Sequence, residues 1–201
     1  MQIYTLAGVM KRDIVTQEGA TWGLNAISHR DGENGSDYTY DDSAGEGTFG
    51  YVIDSGCRVS HDEFEGRAVA GYNAFDGAAD DDKSVPHGTH VAGTIAGLTV
   101  GVAKKASIVS VKVFDESDRT TTEEILDGLA WSVNDILDKG RQNKAVINMS
   151  LRKLASPLSH KLCGPPKFSA PSPNTHTSRL FRIWRADGRT ATKQAVANPR
   201  R

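Results

Sequence analysis

Apolar residues fall along this chain in short blocks whose period changes, and the blocks mark its predicted elements. The run Phe49–Ile53 is short, apolar and bounded by glycine, which predicts a buried strand. Between Thr89 and Leu98, small and apolar residues recur at helical spacing, with Val91, Ile95 and Leu98 on one face. The segment Ile108–Phe114 is rich in β-branched residues and predicts a second strand. A longer helix is predicted from Thr122 to Lys139. Thr121 with Glu124 forms its capping box, Ile125, Leu129, Val133, Ile136 and Leu137 form its apolar face, and Gly140 stops it. Ala145–Met149 is a third strand. Strands and helices alternating through short links predict an α/β fold, a three-layer doubly wound and mostly parallel sheet covered on both faces. Sites in such sheets lie at the carboxyl ends of strands. Asp54 and Asp115 both fall there.

The two ends of the chain differ from this middle. Residues 1–48 are polar and Gly-rich, with Trp22, Leu24 and Ile27 as the visible anchors and turn-rich loops at Asp31–Gly35 and Asp41–Gly47. After Leu151 the composition changes abruptly. Residues 1–151 hold 13 Lys and Arg against 24 Asp and Glu, a net of −11; residues 152–201 hold 11 against the single Asp187, a net of +10. The latter also carry six of the seven prolines and too few apolar residues for a second core, so 152–201 is expected to be a disordered, non-homologous basic tail. An out-of-frame or intron-read segment explains such a join better than a nucleic-acid-binding arm does. On that reading the outer edge of the strand Ala145–Met149 is left without a neighbour.

Cys57 and Cys163 stand on opposite sides of the join, which argues against a disulfide between them and leaves the redox compartment open. Cys57 is expected to be a buried, inert thiol. The first residues lack the basic region and apolar length of a signal peptide, and no stretch reaches transmembrane length. Two motifs are decoys. Gly45-Glu-Gly47-Thr-Phe-Gly50 matches a dinucleotide fingerprint but precedes a strand, whereas phosphate binding needs it after one. Asp80-Asp-Asp82 lacks the spacing of a calcium loop and reads as solvated surface.

The chemistry concentrates in two places. Val52-Ile-Asp54-Ser-Gly56 puts a carboxylate at a strand end, and His87-Gly-Thr-His90-Val-Ala-Gly93 puts an imidazole at the start of a small-residue helix. A hydrolytic relay needs that couple, a base and a carboxylate that orients it. His90 competes for the role and is expected to be the packed, hydrogen-bonded second histidine, since His87 is nearer the helix start. A metal held by His87 and His90 would need further ligands.

These motifs, with Ser60-His-Asp-Glu-Phe-Glu-Gly-Arg67, Gly101-Val-Ala-Lys-Lys-Ala106 and Ile147-Asn-Met-Ser-Leu151, resemble the subtilisin-like serine proteases, in particular the proteinase K and fungal alkaline protease branch. The resemblance covers about residues 15–151, with 1–14 as a possible propeptide remnant. It implies a truncated subtilisin-like fold and an extracellular serine endopeptidase acting on protein or peptide substrates, with its own propeptide as a further partner. It implies Asp54 as the orienting carboxylate and His87 as general base. It places substrate backbone along Asp115, Glu116 and Ser117, and along Ser150 and Leu151. Calcium sites occur in the family, but no clear ligand set stands here, and no cofactor, nucleic acid or membrane is expected. The family's glycine after Ser-Leu is replaced by Arg152, and the match ends. Ser156, Ser159, Ser169, Ser172 and Ser178 all lack the Gly-Thr-Ser-x-Ala context of the nucleophile, so the chain as written is expected to be inactive. The rival reading is a non-catalytic fragment that binds a partner through its basic tail.

Overall fold

A strand apolar on both faces must be covered on both, and that requirement sets the architecture around residues 49–54. The computed structural model describes residues 13–29, 35–75 and 86–151, together with the backbone of 183–185. Strand β3 (Phe49–Asp54) is buried at every position except Phe49. It pairs in parallel with β5 (Ser107–Lys112) on one side and β6 (Ala145–Met149) on the other. Strand β4 (Ala68–Asn73) extends the sheet beyond β5, and β7 (Ile183–Arg185) lies beyond β6, giving the order β4-β5-β3-β6-β7.

Helix α2 (His87–Ala96) covers one face and α3 (Thr122–Asp138) the other. Side chains alternate across a strand. Val52 and Ile108 therefore pack with Ala92 and Ala96 of α2, while Tyr51, Ile53, Val109, Val111 and Val113 pack around Ile136 of α3.

Each helix meets the sheet through its small residues. On α2 the buried positions are Gly88, Ala92, Gly93 and Ala96, whereas Val91 and Ile95 are only half-buried. Leu98, expected on the apolar face, lies past the helix end and is exposed. Close approach of helix to sheet needs side chains no larger than alanine, so the bulkier residues move to the flanks. On α3 the buried stripe is Gly128, Ser132 and Ile136, with Ile125, Leu129 and Val133 beside it. The capping box is present: Thr121 Oγ1 accepts from Glu124 N–H, and the Glu124 carboxylate accepts from Thr121 N–H. Gly140 takes the left-handed φ of +63° that ends the helix. Asp135 fastens this end to β3, accepting from the Tyr51 hydroxyl at 2.6 Å. Burial, and then that carboxylate, push the Tyr51 hydroxyl up to about 12.

Four elements were not legible in the pattern. Strands β1 (Ile14–Gln17) and β2 (Tyr38–Asp41) form a small antiparallel sheet, with α1 (Trp22–Ser28) between them; β4 is the fourth. The anchors expected here are mostly outside: Trp22 is 83% and Ile27 61% exposed, and Leu24 alone joins Ala20 and Tyr38 in a core. A helix this short presents one turn to its neighbour, and Leu24 with Asn25 occupies it.

The outer edge of β6, expected to be open, is instead paired: Ile147, Asn148 and Met149 face Ile183, Trp184 and Arg185 in register. The tail is thus not without structure at those residues. The rest of 152–201, with Cys163, lies outside the described residues, as do Asp80–Asp82. The Cys57 side chain is fully buried.

Glu63, in the 3₁₀ turn Asp62–Phe64, ties that turn to the loop after α2. Its carboxylate accepts from Thr99 Oγ1 at 2.5 Å and from Thr99 N at 2.9 Å. Burial alone would raise this carboxyl, but the hydrogen bonds from Thr99 and Val100 together outweigh it and hold Glu63 below the ordinary value of 4.5. A carboxylate depressed on folding stabilises above its unfolded pKa, and that contribution is lost as pH falls through the folded value. Glu63→Gln is therefore expected to lower stability at pH 7 by about 1–2 kcal/mol, the scale of a hydrogen bond to a charged acceptor. The two proteins should converge as pH falls through the lowered folded value, seen in denaturant midpoints across the acid range. A second expectation concerns α3. A Cβ at Gly128 would lie 2.5 Å from Val113 Cγ1 and 3.1 Å from Val111 Cγ1, both on fully buried side chains. Overpacking there outweighs the roughly 1 kcal/mol that alanine gains over glycine in a helix, so Gly128→Ala should lower the melting temperature.

Candidate active site

Asp54 is the last residue of β3 and His87 the first of α2, so the packing of one helix on one strand brings them together. His87 Nδ1 donates to Asp54 Oδ1 at 2.7 Å. The carboxylate is 1% exposed and the imidazole side chain 55% exposed. One partner is sealed in the fold while the other is more than half exposed. Asp54 Oδ1 also accepts from Ser55 N–H at 2.8 Å, while the buried Oδ2 has no hydrogen-bond partner among the described residues. A negative oxygen held on Nδ1–H leaves Nε2 as the lone-pair nitrogen of the neutral ring. That is the arrangement of a general base and its orienting group.

The backbone around the pair is tightly set. Gly56, with φ of +103°, turns the chain out of β3. A Cβ at Gly88 would collide with the Gly56 carbonyl and approach Asp54 Cβ to 3.2 Å. Having no side chain, Gly88 lets the helix start come up against this turn. Ser55 links the two sides, its Oγ accepting from Gly88 N–H at 3.0 Å. Lys112 Nζ donates to Ser55 O at 2.8 Å. Sequence reasoning passed over Ser55 and Lys112; the visible signal was a charged residue inside the β-branched run of β5.

His90 is not the packed histidine it was expected to be. It is exposed, because the positions of α2 that face the sheet are 88, 92 and 96, and residue 90 points away from them. It lines a groove of about 530 Å³ with Leu24, Ile27, Phe64, Val100 and Val102, on a side of α2 that excludes Asp54 and His87. Asp115 heads a turn after β5, its Oδ1 accepting from Ser117 N and Arg119 N at 2.9 Å each, and Glu116 and Ser117 are exposed. Ser150 and Leu151 are half-buried just past β6, and Ser150 Oγ donates to Asn148 Oδ1 at 3.0 Å. Both segments follow strands that flank β3, at the sheet end where Asp54 lies. Gly45 and Gly47 occupy turns with φ of +82° and +74° ahead of β3. Among the described residues no group of three or more His, Cys, Asp or Glu is placed to hold a metal ion.

The family model described as "Subtilase family" matches residues 45–195. Alkaline protease 1 of Aspergillus oryzae is 57% identical over 150 residues, which are 75% of this chain and 35% of that protein. The alkaline proteinase of Hapsidospora chrysogena is 56% identical over 138 residues, 69% of this chain and 33% of that protein. Among solved structures, a cold-adapted subtilisin-like serine proteinase superposes with a TM-score of 0.61 at 39% identity, covering 69% of this chain and 49% of that one. The chain thus spans about a third of the length of these curated relatives.

Asp54→Ala is expected to free the His87 ring. In the folded variant the nitrogen shifts of the neutral imidazole should report a mixture of tautomers in place of a single Nδ1–H form. Ring NMR of both proteins checks this, and an unchanged tautomer would show that Asp54 does not orient the base.

Proposed function

The chain belongs to the subtilase family, and we propose that it carries the amino-terminal part of the catalytic domain of a secreted serine endopeptidase. The observation that carries the reading is the 2.7 Å contact between His87 Nδ1 and a carboxylate that is otherwise sealed from solvent. In such a site His87 Nε2 takes the proton of a serine hydroxyl as the oxygen attacks the scissile carbonyl. It then returns that proton to the leaving amine, and water repeats the sequence on the acyl-enzyme. Asp54 holds the ring in the productive tautomer and stabilises the imidazolium that forms between the two transfers. The half-exposed imidazole fits this role, since a nucleophile and a polypeptide substrate must both reach it.

The substrate is read as an extended peptide lying along Asp115–Ser117 on one side and Ser150–Leu151 on the other. These segments follow β5 and β6, the two strands that pair with β3, so a chain between them would cross the sheet end at Asp54 and His87. The nucleophile is not supplied by a serine of the expected context in this sequence. The polypeptide by itself is therefore read as having the base and its orienting group without the group they activate. The propeptide that the family resemblance implies as a partner remains part of this proposal.

The test joins the Asp54–His87 pair to a segment that carries a nucleophile. Residues 15–151, joined to the downstream portion of a fungal alkaline protease relative, should hydrolyse casein and react with a fluorophosphonate probe, while the 201-residue chain does neither. In subtilisin, loss of the histidine lowers turnover on the order of a million-fold and loss of the aspartate about 3 × 10⁴-fold. That precedent sets the sizes expected for His87→Ala and Asp54→Ala in the chimera. A folded chimera whose activity survives His87→Ala would overturn the assignment.

A further inference from the structure

Lys112 is the one charged residue of β5, on a strand that is otherwise apolar or hydroxylic. It stands directly opposite Asp54 in the parallel register, on the α2 side of the sheet, and is 4% exposed. A lysine so placed is costly unless its ammonium is hydrogen-bonded. Its Nζ donates to the Ser55 carbonyl at 2.8 Å. That acceptor is the point where the active-site backbone is joined. Ser55 N–H donates to Asp54 Oδ1, and Ser55 Oγ accepts from Gly88 N–H in the first turn of α2. One residue therefore touches the carboxylate, the helix that carries the imidazole, and the buried ammonium. Its neighbour Gly56 supplies the carbonyl against which Gly88 is packed.

Resting on the relay reading above, we propose that Lys112 is a positioning residue for the Asp54–His87 pair. Through the Ser55 carbonyl it fixes the residue whose N–H holds Asp54 Oδ1 toward His87 Nδ1, without touching either group that would act on substrate. A hydrogen-bonded couple in a relay is sensitive to displacements of about 1 Å, so a restraint one residue away from the carboxylate has leverage that a distant packing contact lacks. Methionine could fill the volume of Lys112 but could not donate. Arginine could donate, with a bulkier head.

The experiment uses the full 201-residue chain and follows the far-downfield Nδ1 proton of His87 by NMR, with amide resonances of α3 as a control for folding. In the wild type that proton is expected to be present and slow to exchange. In folded Lys112→Met it should be lost, or its exchange with water faster by at least tenfold, with α3 undisturbed; Lys112→Arg should retain it in part. A folded Lys112→Met whose Nδ1 proton matches the wild type overturns the proposal and leaves the relay standing. Absence of the proton from the wild type overturns both. Should Lys112→Met fail to fold, Lys112→Gln, whose shorter neutral side chain falls short of the Ser55 carbonyl, decides by the same readout: loss supports the assignment and retention overturns it.

Discussion

The structure depends on how closely two backbones approach: the turn that leaves β3 at Gly56 and the first turn of α2 at Gly88. A single methyl group at residue 88 would collide with the Gly56 carbonyl. Because that approach is possible, the end of a buried strand and the start of a helix share one hydrogen-bond network, and Asp54 meets His87 at 2.7 Å. The small residues Ala92, Gly93 and Ala96 continue the same fit along the helix. Arg67 completes it at the far end, donating to the carbonyls of Ala96 and Ala106 at 2.8 Å each.

The two faces of the sheet are built on different principles. Toward α3 the buried side chains of the central strands are apolar apart from the Tyr51 hydroxyl, and that hydroxyl is taken up by Asp135 and Arg141. Toward α2 the lower part is apolar, with Val52 and Ile108, but the carboxyl end holds Asp54, Ser55 and Lys112, all buried. Polar groups are tolerated inside a fold when they bond to one another. Here most of the bonds converge on Ser55, so the cost of burying a carboxylate is offset by fixing its direction. An imidazole bonded to that carboxylate is oriented by the fold itself.

The charge division of the chain acquires a structural counterpart at the sheet edge. β6 receives β7 from the basic segment, in parallel register over Ile147–Met149. An unpaired edge strand invites association with other chains. The family match also continues across the change in composition at Leu151, to residue 195. The compositional break is therefore not matched by an end to the sheet.

What the sequence determined by itself were the elements with strong period or strong punctuation. The apolar run of β3, the β-branched run of β5, the capping box at Thr121 and the stop at Gly140 each carry their cause locally, and each stands where it was expected. Asp54 and His87 were legible as well, because a carboxylate after an apolar strand and an imidazole before a small-residue helix are unusual neighbours for a plain core. Tertiary structure decided the rest. Whether Trp22 or Leu24 turns inward, and whether His90 packs or faces water, depends on which side of a helix meets a neighbour that its own residues do not specify. Strand β4 exists because the outer edge of β5 was free to accept it, with a register shift between Ala70 and Tyr72 that no alternation pattern encodes. The place of Lys112 follows from the same cause. Its neighbour Asp54 is 58 positions earlier in the chain and becomes its partner in register only when two strands lie side by side.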